Sequence, residues 1–101
     1  MKRLNLSITR ANIKWGEQAN PSKCPIANSI KDSIKNVTYV CVLPNEATIK
    51  VKRGKKILSY KSKMPAEGNN FVRNFDDGLK VTPFKLTLEL SKLKKEIAAL
   101  V

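Results

Sequence analysis

The sequence has 101 residues, of which 20 are Lys or Arg, 8 are Asp or Glu and none is histidine, so the formal charge is +12 at pH 7. This length fits one domain, and the absence of histidine excludes a Ser-His-Asp triad and a Cys-His dyad. Two cysteines without histidine also exclude a four-ligand zinc site and a disulfide-dense scaffold. We therefore predict a non-enzymatic protein with no metal and no cofactor.

The first residues have no features of a signal peptide. Lys2 and Arg3 are followed by alternating polar and apolar residues rather than by an apolar run. No later stretch approaches the roughly 18 apolar residues of a membrane span. We expect a cytoplasmic protein without a membrane partner, in which Cys24 and Cys41 are reduced thiols.

The first third of the chain predicts one strand and two helices. Residues 4–8 alternate between apolar and polar, which predicts a half-buried strand. Thr9 is expected to cap a short helix over residues 10–17, and Ser22 to cap a second helix that has Pro25 in its first turn. The second helix has an apolar stripe formed by Ile26, Ala27, Ile30 and Ile34.

The middle of the chain predicts a strand over residues 37–43, followed by a hairpin. Gly54 lies in the hairpin turn, and two loop lengths are possible. We expect a three-residue loop to place Val51 opposite Ile57, and a two-residue loop to place it opposite Lys56. The three-residue loop is favoured because it pairs two apolar residues.

The last third predicts a helix that Pro65 opens and Gly78 ends, followed by a strand over residues 80–90. Pro83 would place the start of that strand at a sheet edge or a bulge. Phe71, Val72 and Phe75 of the helix, and Phe84, Leu86, Leu88 and Leu90 of the strand, are expected to face the core.

The segment from Ser91 to Val101 changes to a helical period and predicts a C-terminal helix capped by Ser91. Its apolar residues, Leu93, Ile97 and Leu100, would either dock on the same domain or form a homo-oligomer. The whole pattern predicts an α+β domain over residues 1–90, with a mixed or antiparallel sheet of four to five strands and the helices on one face.

The strongest functional signal is a basic cluster within residues 50–63, where no acid interrupts the sequence. A basic hairpin suits the phosphates of a nucleic acid or of a compact anion, and Tyr60 and the cations provide a predicted ligand-binding set. The alternative is a sheet edge that lysines protect against aggregation. The basic residues are Lys50, Lys52, Arg53, Lys55, Lys56, Lys61 and Lys63.

A second anion site is predicted at the start of the second helix, where free N–H groups and the helix dipole attract negative charge. Ser22 and Lys23 lie there, and Arg10, Lys14 and Trp15 on the short first helix would close over it. The alternative is an ordinary capped helix.

Two segments have a more distinctive sequence than their secondary structure requires: Cys24-Pro25-Ile26-Ala27, and residues 71–84 (FVRNFDDGLKVTPF). Together they resemble a family of short hypothetical proteins of bacteriophages and bacterial genomes. That family has an early Cys-Pro-(Ile/Val)-Ala block and a late Phe-x-x-x-Phe-Asp-x-Gly-x-x-Val-x-Pro-Phe block. The resemblance extends over residues 4–90 in order and spacing, but this chain has a more basic central hairpin and the added tail. It implies a phage or mobile-element accessory protein and assigns no site residue.

The charge and the resemblance together predict a phage-type protein that inhibits host defence in the host cytoplasm. Its partner would be an anion, either a nucleotide immune signal or the nucleic acid of a defence complex, and a host defence protein is a further candidate partner. The main alternative is a general DNA- or RNA-binding protein that uses the basic hairpin. A small enzyme and a protein-mimic inhibitor with an exposed apolar patch are the other classes considered.

Overall fold

The computed structural model of the chain describes residues 3–92. The predicted oligomerisation residues Leu93, Ile97 and Leu100 lie outside the described residues, as does most of the predicted C-terminal helix. The described elements confirm the α+β class. In chain order they are β1 (Arg3–Ile8), α1 (Arg10–Lys14), α2 (Pro25–Ser33), β2 (Val37–Leu43), β3 (Glu46–Arg53), β4 (Lys56–Lys63), α3 (Ala66–Asp76) and β5 (Phe84–Lys92).

The five strands form one antiparallel sheet in the order β1-β5-β4-β3-β2. The first strand therefore pairs with the last, from Arg3 opposite Glu89 to Ile8 opposite Phe84. At its start β5 pairs with β1 alone, because its pairing with β4 is confined to residues 90–92, which confirms the predicted edge position there. The strand begins at Phe84, directly after Pro83, so the proline removes no donor from the ladder.

Helix α2 packs against both edge strands, β1 and β2, so the sheet curls around it. At one edge the Val42 N–H donates to the Pro21 carbonyl over 2.9 Å. At the other edge the Ser29 hydroxyl donates to the Ser7 carbonyl over 3.3 Å. Edge strands with unpaired backbone groups favour unwanted strand pairing, and α2 with its preceding loop covers part of both edges.

The turn between β3 and β4 has two residues, Gly54 and Lys55, so the prediction of a three-residue loop is wrong. Gly54 has a φ of +62°, and glycine at the first position of a two-residue loop gives a turn whose twist matches that of the strands. The turn places Arg53 directly opposite Lys56.

This register also decides which side of β4 faces the core. Val51 lies opposite Leu58 rather than Ile57, so the two-residue turn also gives Val51 an apolar partner. A shift of one residue exchanges the two faces of a strand. Tyr60 therefore points to the core with Ile49 opposite it, and is only 8% exposed.

The core lies between the sheet and helices α2 and α3. Phe71 of α3 packs against Phe84, with their ring centroids 4.7 Å apart. Gly78 has a φ of +77° just after α3, which confirms its predicted place at the helix end. The most buried large side chains include Leu6, Ile8, Ile26, Ile30, Ile49, Leu86 and Leu88.

The caps of the other elements differ in part from prediction. Thr9 caps α1 as predicted, but the helix ends at Lys14. Cys24, not Ser22, caps α2, because Cys24 is the residue directly before the first helical turn. Ser91 belongs to β5 and caps no helix.

Candidate anion-binding surface

The basic hairpin is the outer part of β3 and β4, and its cations occupy two places. The side chains of β3 and β4 that point away from α2, on the sheet face opposite the described helices, include Lys50, Lys52, Lys61 and Lys63. The other three cations, Arg53, Lys55 and Lys56, lie at the exposed tip. The sequence therefore placed the tip cations correctly.

The register spreads the face lysines apart. Lys50 lies opposite Ser59, and Lys52 lies opposite Ile57, so no two of these lysines face each other directly. Lys50 and Lys52 are two residues apart on one strand, which separates their Cα atoms by about 7 Å. Such a row suits an extended chain of phosphates better than one compact anion.

Few acids lie near these cations. Glu46 pairs with Lys61 at 3.5 Å, and both side chains are about half exposed. Over residues 3–92, the charged groups of Lys52, Arg53 and Lys56 form no ion pair. The tip therefore keeps its full positive charge.

Tyr60 cannot stack on a base, because its ring is buried in the core on the opposite side of β4 from Lys61. The exposed aromatic near this surface is Tyr39 on β2, which lies opposite Lys50. The Lys50 ammonium lies 5.5 Å from the centre of its ring. Sequence reasoning missed Tyr39, although its alternation with Val40 was a usable signal.

A cleft of about 1020 Å³ lies beside the hairpin, where the ends of β4 and β5 separate. Lys61 and Lys63 line it, but so do Glu46 and Glu89. The mixed charges make this cleft a poor site for a compact anion.

The predicted second anion site is not open at the start of α2. The Cys24 side chain is 2% exposed, and its sulfur accepts the Ala27 N–H over 3.5 Å. Gly16 packs so closely over Pro25 that an added Cβ would lie 2.8 Å from the proline ring. Lys23 is paired with Glu17 at 3.8 Å. The N-terminal N–H groups are thus covered by protein, which corrects the prediction for this helix end.

Ser22 is also used within the protein. Its N–H donates to the Asn20 side chain over 3.1 Å, and its carbonyl accepts from the Lys31 ammonium over 2.5 Å. The remaining predicted residues, Arg10, Lys14 and Trp15, lie on or just after α1 and are exposed. They are therefore not part of the same site as Ser22.

Trp15 lies instead beside the middle of α2. Its side chain is 72% exposed, and the Lys14 ammonium lies 5.3 Å from the ring centre. The indole borders a depression of about 390 Å³ that Asn28 and Lys31 also line.

A cavity of about 460 Å³ brings together the two segments on which the family resemblance depends. Cys24 lines it from one segment, and Arg73 and Asp76 from the other. Burial raises the pKa of the Cys24 thiol above its ordinary value of 9.0, so the thiol is protonated and a poor nucleophile at neutral pH. One Asp76 oxygen already accepts the Ala19 N–H over 2.9 Å.

Two further classes of site have no support in residues 3–92. This part of the chain contains no group of three or more Cys, Asp or Glu residues placed to hold a metal ion. Its helices are all too short or too polar to cross a membrane.

Comparison with known protein families, curated proteins and solved structures finds no match to this chain.

Proposed function

We propose that this protein is a non-enzymatic binding protein for nucleic acid, which it contacts through the phosphate backbone with the basic hairpin. The observation that carries this proposal is the pair Arg53 and Lys56, which lie directly opposite each other at the tip with Lys55 between them. Like charges that face each other across two strands destabilise the hairpin. A row of phosphates would relieve that repulsion.

The lack of acids supports the same proposal. From residue 47 to residue 66 the sequence contains no Asp or Glu. Lysines that only protect a sheet edge belong on an edge strand. Lys50 lies where β3 is paired on both sides, whereas β4 is paired with β5 only at residues 60–62 of the described chain. Edge protection can therefore account for Lys56 but not for Lys50.

A nucleotide-sized anion is less well supported than a polymer. The hairpin cations lie on an exposed tip and on the sheet face opposite the described helices, and the adjacent cleft includes Glu46 and Glu89. Small ligands are usually held in concave sites that bury most of their surface. An extended backbone fits the observed arrangement because it needs no enclosure.

The biological setting is part of the proposal and has separate support. The resemblance of Cys24-Pro25-Ile26-Ala27 and residues 71–84 to phage proteins favours an accessory protein of a phage. Such a protein would occupy the nucleic acid of a host defence complex and so inhibit it.

The test compares two variants with the same change in net charge. The tip variant carries Lys52→Glu, Arg53→Glu and Lys55→Glu, which reverse two tip cations and the face lysine next to them. Arg73→Glu, Lys80→Glu and Lys85→Glu reverse three exposed cations on α3 and near the start of β5, away from the end of β5 that pairs with β4. Anisotropy of a labelled 20-base-pair duplex and of its single strand at 50 mM salt measures the affinity.

We expect the tip variant to bind both probes at least about 100-fold more weakly than the unaltered protein, and the control variant to lose far less. An equal loss in both variants, or no loss in the tip variant, would contradict the proposal. Urea unfolding of both variants verifies that each remains folded, since all six side chains are exposed.

A further inference from the structure

The turn that carries Trp15, defined here as the α1 turn (residues 9–16), is anchored at both ends. At its start, the Asn12 N–H donates to the Thr9 hydroxyl and the Thr9 N–H donates to the Asn12 amide oxygen, over 3.1 and 2.9 Å. At its end, Gly16 packs against the ring of Pro25. A five-residue helix is unstable alone, so these contacts fix its backbone.

Asn12 also ties the turn to α2. Its side-chain N–H donates to an Asp32 carboxylate oxygen over 2.8 Å, and Asn12 itself is buried. The backbone beneath Trp15 is therefore held firmly, although the indole itself is the most exposed of the large hydrophobic side chains described. A rigid backbone under an exposed aromatic ring is what a stacking contact needs.

The surroundings of the indole favour an anionic ligand with flat rings. Lys14 lies over the ring at 5.3 Å, and Lys31 and Asn28 line the depression beside it. The one carboxylate in that depression belongs to Asp32, which already accepts from Asn12. Aromatic rings next to cations stack on the unpaired bases of single strands, whatever the base.

Helix α2 connects this place with the basic hairpin. The depression lies beside Asn28 and Lys31, and α2 ends at Ser33. Three residues later the Asn36 carbonyl accepts the Lys52 N–H over 2.9 Å. One strand of nucleic acid passing along α2 would meet both Trp15 and the tip of the hairpin, but not the lysines on the opposite face of the sheet.

We infer that Trp15 is a stacking site for an unpaired base, so that the preferred ligand is single-stranded nucleic acid. This inference rests on the proposed function, because the hairpin would supply most of the phosphate contacts. A protein or membrane partner is less well matched, since two cations, Lys14 and Lys31, lie beside the indole, and of the described residues Ala11 is the one apolar residue that lines the depression with it.

The experiment distinguishes protein contacts with the bases from contacts with the phosphate backbone. The two probes are a labelled 12-nucleotide oligothymidylate and an abasic deoxyribose-phosphate oligomer of the same length. The sequence has one tryptophan, so its fluorescence reports on Trp15 alone. We expect oligothymidylate to quench this fluorescence and the abasic oligomer to leave it nearly unchanged.

Anisotropy then compares Trp15→Leu with Trp15→Phe. The leucine variant should bind oligothymidylate about 5-fold or more weakly and the abasic oligomer as before, and phenylalanine should restore part of the loss. The inference is overturned if Trp15→Leu binds both probes equally more weakly. It is also overturned if this variant binds oligothymidylate as before and oligothymidylate does not quench the Trp15 fluorescence. If the abasic oligomer binds and these effects are missing, the stacking site fails while the proposed function stands. If neither oligomer binds, both fail.

Discussion

The tip of the basic hairpin and the α1 turn are both exposed, but their surroundings constrain them very differently. A Cβ added at Gly54 in the hairpin tip would have nothing within 4 Å, whereas one added at Gly16 would lie 2.8 Å from Pro25. The hairpin tip thus projects its cations into open space, whereas the α1 turn holds the backbone of Trp15 in place. Charge attraction acts over several ångströms and tolerates such freedom, but stacking needs the ring held in place.

The largest effect expected from this difference is on the salt dependence of binding. Changing Lys52, Arg53, Lys55 and Lys56 to Gln should reduce the slope of log affinity against log salt by about 3 to 4, since each lost phosphate contact contributes about 0.9. Trp15→Leu should leave that slope unchanged. Duplex titrations between 50 and 200 mM salt measure it, and equal slopes in all three proteins would remove the distinction between the two regions.

The next effect is on stability and tests the close packing at Gly16. Gly16→Ala should cost about 1–3 kcal/mol of unfolding free energy, because the added methyl group must displace the Pro25 ring. It should also weaken the quenching of Trp15 by oligothymidylate. Gly54→Ala, at a φ of +62°, should cost about 1–2 kcal/mol and leave the affinity nearly unchanged. Urea unfolding gives both costs, and a Gly16→Ala protein of full stability would show that the turn is not fixed as described.

A slightly smaller loss is expected where the α1 turn is capped. Asn12→Ala removes the bond from the Thr9 N–H to the Asn12 amide oxygen and the bond to Asp32, while the backbone N–H at position 12 still donates to the Thr9 hydroxyl. The loss should destabilise the protein by about 1–2 kcal/mol. Asn70→Ala is the control, because Asn70 is exposed on α3 and should change stability by less than about 0.5 kcal/mol. Thermal or urea unfolding distinguishes them, and similar stabilities would mean that these bonds do not anchor the turn.

The smallest expected effect is on the pH dependence of stability, and it comes from Cys24, which is buried in the segment after the α1 turn. Burial raises the pKa of Cys24, so the folded protein holds that proton more tightly than the unfolded chain does. Stability from this group is complete below about pH 9.0 and is lost as the pH rises through the raised folded value. Cys24→Ala should remove this decline. Unfolding measured from pH 7 to 10.5 tests it, and an identical decline in the variant would assign the effect to other groups.

Local patterns were enough to predict most of the elements. The alternation in β1 and β5, the apolar stripe of α2 and the glycine after α3 all depend on neighbours in the sequence, and each agrees with the structure. The pairing of β1 with β5 joins residues that are far apart in the chain, so no local pattern could reveal it. The position of α2 between the two edge strands follows from that pairing.

The candidate site shows how one turn residue decides a functional prediction. Under a three-residue loop, Tyr60 would share the exposed face with the lysines and stack on a base. The observed two-residue turn moves Tyr60 into the core and leaves Lys61 outside. The exposure of Lys50, Lys52 and the tip cations was predicted correctly because it does not depend on the register of β4. The positions of Lys61 and Lys63, like that of Tyr60, do depend on it. An aromatic ring is stable on either face, so its position depended wholly on the turn.

The pairing of the first strand with the last has a consequence for how the chain is made. Arg3 finds its partner only when Glu89 is present, and ribosomes add roughly 5–20 residues per second. Strand β1 must therefore wait several seconds after its synthesis with its backbone groups unpaired. During that interval the edge of β1 is open to other chains, and a chaperone that holds nascent strands would raise the yield of folded protein more than it would for a fold whose first strand pairs with the second.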